Sequence, residues 1–182
     1  MVKYKISYNS NGGGLKYNFT YGELTKEGLV NLLKKYDTND KIFYDLGSGK
    51  GNVLIYASEE FNNLKNIIGI ELDKVRHDEA CKNIKNNKKE DKINVINDDI
   101  LSDKYNYGDA DFIYISNLCF PDDVNKALSK KLNSEVKDGT VIFSSKFLDF
   151  NGNSECSTAK VKQTWMNSSN IFINLIKKNI NN

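Results

Sequence analysis

Tyr44-Asp45-Leu46-Gly47-Ser48-Gly49-Lys50-Gly51-Asn52 is the stretch on which the reading of this chain turns. It follows a short β-rich run, Lys41–Asp45, and leads into Asn52–Phe61, which has helical patterning. Glycines at alternate positions let the backbone turn tightly and approach a ligand closely, while the opening of a helix presents N–H groups without partners. Two common phosphate loops are excluded by spacing. A dinucleotide loop needs G-x-G-x-x-G, and Gly51 comes one residue too early. A Walker loop needs four residues between its glycines and a Gly-Lys-Ser/Thr ending, and neither is present. Asp45, an acid just ahead of the glycines, suits a cationic ligand group better than a pyrophosphate.

Outward from this loop, strand and helix signals alternate. Asn66–Glu71 is an apolar run suited to a buried strand, and Lys74–Asn86 reads as a helix. Ile93–Ile96 and Ala110–Ile115 read as strands. Pro121 suits the first turn of a helix that runs to about Leu132, and Thr140–Ser144 is a further strand after the Asp138-Gly139 turn. Such alternation predicts βαβ units and a mostly parallel sheet. The tail differs: Lys160–Met166 and Asn170–Ile176 are β-like runs, with Asn167-Ser168-Ser169 as the expected hairpin turn. Residues 1–36 form a lead-in: a strand bearing lysines and tyrosines, the Asn11–Gly14 loop, and a helix near Lys26–Tyr36.

Bulk properties bound the function. The chain has 182 residues, 39% hydrophobic and 27% charged, enough for one domain with a real core. It has neither an eighteen-residue apolar stretch nor an apolar leader, so an intracellular protein without a membrane span is expected. Three scattered cysteines and the single His77 give neither a disulfide framework nor a zinc pattern, and no metal is expected. The net charge of +2 neither requires nor excludes an acidic partner. Lysines do cluster at Lys3, Lys5 and Lys16 and again at Lys82, Lys85, Lys88 and Lys89; a solvated face is the plain reading of both groups.

The string Asp45-x-Gly47-x-Gly49-x-Gly51 resembles the cofactor loop of class I methyltransferases. Their plan, an α/β sheet ending in an antiparallel hairpin, fits the order of elements above. The implied fold is Rossmann-like, a mostly parallel seven-stranded sheet with a C-terminal hairpin. The lead-in at 1–36 would serve as a cofactor lid and 37–182 as the catalytic domain. The implied cofactor is S-adenosyl-L-methionine, which carries a sulfonium and an ammonium and no phosphate; its product is S-adenosyl-L-homocysteine. Glu71, at the end of the second strand, is placed to accept hydrogen bonds from ribose hydroxyls. Of Asp98 and Asp99, the second is favoured for the adenine amino group.

A narrower resemblance runs from about Tyr21 to Phe147, and more weakly to Phe172. The chain resembles the Dot-one-like (disruptor of telomeric silencing) histone-lysine methyltransferases. Tyr21-Gly22-Glu23 is similar to the family's element that folds over the cofactor. Asp45-Leu46-Gly47-Ser48-Gly49 matches its glycine loop, and Gly69-Ile70-Glu71 its ribose-binding strand end. Asp99-Ile100-Leu101-Ser102 is similar to its adenine-binding segment, Ile115-Ser116-Asn117-Leu118-Cys119-Phe120 to its asparagine loop, and Phe143-Ser144-Ser145-Lys146-Phe147 to its serine-serine-lysine stretch. Trp165 and Phe172 keep the spacing of a tryptophan and a channel tyrosine. There are departures: Ser116 replaces an asparagine, Leu24 a threonine, Asn52 a glutamine and Phe172 the tyrosine, and the long lysine-rich extension of some members is missing. A minimal member, a viral one included, would fit so short a chain.

The resemblance implies transfer of a methyl group to a lysine on the globular face of histone H3 in the nucleosome. Location would follow: the nucleus, or wherever chromatin lies. It implies cofactor contacts from Tyr21, Glu23, Asp45, Gly47, Ser48, Gly49, Gly51, Asn52, Glu71, Asp99, Ile100 and Asn117. Catalytic roles fall to Asn117, Phe172 and Tyr21, with Phe120, Phe147 and Trp165 as further channel walls. Lys82, Lys85, Lys88, Lys89 and the amino-terminal lysines are candidates for DNA phosphates. A monomer is expected. His77 reads as a surface helix residue and Cys119 as a small buried filler. Three alternatives stand beside this reading: a lysine methyltransferase of a non-histone protein, a small-molecule or RNA methyltransferase, and a domain that binds the cofactor without turnover.

Overall fold

In a computed structural model, the described residues are 23–164 and 166–178. They form one seven-stranded sheet in the order β3-β2-β1-β4-β5-β7-β6. Strands β1 (Ile42–Leu46), β2 (Asn66–Glu71), β3 (Ile93–Asn97), β4 (Phe112–Ile115) and β5 (Val141–Ser144) are parallel, and β6 (Ser154–Gln163) and β7 (Met166–Ile176) are antiparallel. The expected fold class is the one observed. The order reverses at β1 and β4, so the loops after these two strands diverge and open a crevice above their carboxyl ends.

The central strands are continuous apolar runs because both of their faces are covered. One face carries Phe43, Phe112, Tyr114, Val141 and Phe143 under α1 (Lys26–Leu33), α2 (Asn52–Glu60) and α3 (Lys74–Asn86). The other carries Leu46, Ile113, Ile115 and Ile142, packed with Leu128 and Leu132 of α4 (Asp122–Glu135) and with Leu148 and Phe150. Thr25 caps α1 by accepting from the Gly28 amide, and Asp73 caps α3 by accepting from the Arg76 amide. Leu24, Leu29, Leu32 and Leu33 are buried in the same core as the sheet. Gly28 admits α1 to the sheet edge, since a Cβ there would sit 2.5 Å from the Lys162 carbonyl oxygen.

Three sequence expectations are corrected. The hairpin closes earlier than expected, because Gln163 already pairs with Met166 and Thr164 is in a turn. Asn167, Ser168 and Ser169 belong to β7, and β6 begins at Ser154. These strands lie at the sheet margin, where polar side chains face water and mimic turn composition; register is set by Phe172 opposite Ser144 of β5. Cys119 is exposed, as are Cys81 and Cys156. His77 is half-buried, its Nε2 lying 3.3 Å from the Val95 carbonyl oxygen, so it ties α3 to β3.

Candidate active site

The glycine loop is held from below. Gly47 and Ser48 donate their amides to the Ile70 carbonyl at 2.8 and 3.1 Å, and Gly51 donates to Ser48. Gly47, Gly49 and Gly51 all have positive φ, +86°, +54° and +80°, which side-chain-bearing residues rarely adopt. Gly69 beneath the loop admits Ser48 and Leu54, each of which would lie within 3 Å of a Cβ there.

Acids surround this loop. The Glu71 carboxylate accepts the Gly49 amide on Oε2 at 2.8 Å; on Oε1 it accepts the Asp73 amide at 2.9 Å and meets Arg76 at 3.0 Å. Oε2 keeps an acceptor site for a ligand hydroxyl. Glu23 reaches over from the lead-in, where its main chain exchanges hydrogen bonds with Thr164, and its carboxylate accepts from the Asn52 side chain. Asp45 is 2% exposed and forms no hydrogen bond through its carboxyl among the described residues. Burial, then the nearby Glu23 and Glu71, pushes its pKa well above the usual carboxylate range. Three acids around one loop, one of them without a hydrogen-bond partner among the described residues, form a site that asks for a cation.

At the second acidic position, both Asp98 oxygens are spent: Oδ1 on the Asp99 amide, Oδ2 on Lys104 and Tyr105. Among the described residues Asp99 commits only Oδ1, to the Leu101 amide, beside the buried Ile100. Geometry therefore leaves Asp99 the freer of the two.

The loop after β4 lies across the crevice from β2. Its 3-10 turn, Asn117–Cys119, brings Phe120 over the glycine loop, 3.2 Å from where a Gly47 Cβ would be. Asn117 is fully buried; its amide donates to Asn125 Oδ1 at 2.7 Å and its oxygen accepts the Lys146 amide at 2.8 Å. Asn125 passes the link on to the Phe120 carbonyl at 3.0 Å. The Asn117 side chain thus binds the β4 loop, α4 and the β5 exit together, and its geometry is that of a positioning residue. Phe147, 56% exposed, packs edge-on against Phe172 at 5.8 Å, next to Ser144 at the same end of the sheet. Tyr21 and Trp165 lie outside the described residues. Sequence reasoning missed Asn125 and Arg76; Arg76, the chain's single arginine, was the visible signal.

Residues 15–179 match the family model for histone methylation protein DOT1. The chain belongs to the DOT1 family. A protein-lysine N-methyltransferase of Saccharolobus islandicus is 31% identical to this DOT1-family chain over 112 residues, 60% of the chain and 65% of that protein. A histone-lysine N-methyltransferase, H3 lysine-79 specific, of Kluyveromyces lactis is 53% identical over 45 residues, 24% of the chain and 8% of that protein. The chain therefore spans less than two thirds of each of these relatives. Among solved structures, an RNA methyltransferase from Salinibacter ruber in complex with S-adenosyl-L-homocysteine superposes with a TM-score of 0.65 at 21% identity, covering 84% of this chain and 92% of that one. A precorrin-6y C5,15-methyltransferase from Geobacter metallireducens gives 0.63 at 17%, covering 82% and 86%. These neighbours establish the class I methyltransferase fold and differ widely in named substrate.

Proposed function

We propose that this chain transfers a methyl group from S-adenosylmethionine to a lysine side chain of a protein, and that the lysine lies on the globular face of nucleosomal histone H3. The observation that carries the reaction is the buried Asp45, without a hydrogen bond from any described residue, beside a loop closed by Glu71, within a chain of the DOT1 family. Asp45 and Glu23 suit the ammonium of the cofactor's amino-acid end, Glu71 Oε2 its ribose hydroxyls, and Asp99 Oδ2 its adenine amine. The amides of the Gly47–Gly51 loop, Ser48 included, are fixed by the fold, and Ile100 offers an apolar wall. We assign the lid role of residues 1–36 to the stretch around Tyr21–Glu23, ahead of the packed helix α1.

When bound, the cofactor supplies a methyl carbon on a sulfonium, an excellent leaving group. The lysine nitrogen lone pair forms the new N–C bond as the C–S bond breaks, and one proton leaves the nitrogen. The protein's part is placement and exclusion of water. Free lysine has a pKa of about 10.4 and must lose its proton first. Apolar surroundings disfavour the ammonium, and we assign Phe120, Phe147 and Phe172 to supply them. Aromatic faces also attract the incoming cation. Asn117 holds the β4 loop that frames the approach.

The histone reading draws on the family and on the yeast relative's named specificity; the archaeal relative, named only for protein lysine, supports the broader alternative of a non-histone target. A nuclear or chromatin location belongs to the same proposal. Labelled methyl transfer to nucleosomes, free histones and a cell extract, followed by mass spectrometry of the labelled residue, tests both. We expect label on a histone H3 globular-face lysine, stronger on nucleosomes than on free histone. Label on an extract protein alone keeps the reaction and overturns the substrate. Cofactor binding with no label anywhere overturns catalysis.

A further inference from the structure

Two buried hydroxyls near Asp45 make no hydrogen bond of good geometry among the described residues. Asp45 and Tyr114 are register partners on adjacent strands, so their side chains rise from the same face of the sheet. Tyr114 is 2% exposed. Its hydroxyl stands beside Ser116 and Ser145 and within electrostatic reach of Asp45 and Glu23, yet it makes no hydrogen bond of good geometry. The Ser145 hydroxyl, just past the end of β5, is buried and likewise makes no hydrogen bond of good geometry among the described residues. An unmade hydrogen bond at a buried hydroxyl is costly, and a native site that keeps two side by side calls for a reason. Packing alone does not supply it, since phenylalanine and alanine would fill the same space without polar atoms.

The glycine loop sharpens the point. Its Gly47, Ser48, Gly49 and Gly51 amides all donate within the fold. The neighbouring cations, Lys50 and Arg76, are held by Glu79 and Glu71. A zwitterionic amino-acid group beside Asp45 is attracted through its ammonium and repelled through its carboxylate. Neutral O–H donors offset that repulsion without cancelling the charge of Asp45, which a lysine would do. We propose that Tyr114 and Ser145 donate hydrogen bonds to the carboxylate of the cofactor's amino-acid end and so select a cofactor that carries it. This rests on the cofactor reading above.

The test is calorimetric titration of the full chain with S-adenosylmethionine, its decarboxylated form and 5′-methylthioadenosine. Wild type should bind the intact cofactor at least about tenfold more tightly than the decarboxylated form, the size of one charge-assisted hydrogen bond. Tyr114→Phe and Ser145→Ala should each weaken the intact cofactor by about five- to tenfold and leave the other two ligands within about twofold. Equal losses for the intact and decarboxylated forms, or no loss for either, overturn the assignment. Failure of wild type to bind any of the three overturns the cofactor reading itself. Melting curves confirm that each variant is folded, and Ser145→Ala carries the test if Tyr114→Phe is not.

Discussion

On the proposed cofactor reading, Asp45 is the residue at which stability and function oppose each other. Its carboxyl is buried beside two other acids, so the charged form is penalised and its native pKa is raised. The native state then holds a proton that the unfolded chain releases once pH exceeds the ordinary carboxylate range. Within that window stability falls as pH rises, because the native state binds more protons than the unfolded one. A cationic ligand group at Asp45 reverses the penalty, and cofactor affinity should rise with pH across the same window. Asp45→Asn separates the two effects. The ligand-free protein should melt several degrees higher at neutral pH, since ~1 kcal/mol corresponds to roughly 2–4 °C in a domain of this size, and it should lose its pH-dependent stability there. S-adenosylmethionine binding should fall by at least about a hundredfold, the loss of a buried charge pair. Thermal scans across pH, with and without ligand, decide this; a variant that melts lower and still binds would remove Asp45 from the site.

At the scale of elements, the crevice depends on three segments meeting at Asn117: the β4 loop, the first turn of α4 and the exit of β5. Asn117→Ala leaves the Lys146 amide and Asn125 Oδ1 without their partner. The expected cost is about 2 kcal/mol, or roughly 4–8 °C in melting temperature. Turnover should fall further than cofactor affinity, because Asp45, Glu71 and Asp99 are untouched. Equal losses in both would mean that Asn117 acts through global stability alone. Asn117 was legible in the sequence as a residue at the end of a strand, but its role was not, since Asn125 lies on another element and only the fold brings the two together. The parallel strands were legible to within a residue or two, as in Asn66–Glu71, because burial on both faces leaves a continuous apolar run. The hairpin was not: β6 is largely exposed, so its sequence carries little periodicity, and the pairing of β7 with β5 decides the register. Cys119 misled for a similar reason, a small apolar residue in a turn whose outward face only the tertiary structure reveals.

Across the whole molecule, charge and crevice are segregated. Helix α3 starts beside Glu71 at the crevice and runs back along the sheet, so Lys82, Lys85, Lys88 and Lys89 gather where β3 begins, at the opposite edge. None of the four forms an ion pair among the described residues, and all but the half-buried Lys89 are exposed. They do not line the crevice, and no role in the chemistry falls to them. If the substrate is a nucleosome, contacts from this edge reach DNA phosphates away from the reacting lysine. Each such contact releases counterions and steepens the salt dependence of binding by about one unit of log–log slope. Replacing all four lysines with alanine should therefore flatten the salt dependence of nucleosome binding and raise KM. It should leave kcat, and the affinity for S-adenosylmethionine, within about twofold of wild type, as removal of uniform binding requires. Binding measured from low to physiological salt, alongside turnover at saturating nucleosome, reads both quantities. A fall in kcat with an unchanged salt slope would move the patch into the catalytic assembly; no change in either would leave it a solvated face and shift the DNA contact to lysines on the crevice side, where Lys126 of α4 is exposed.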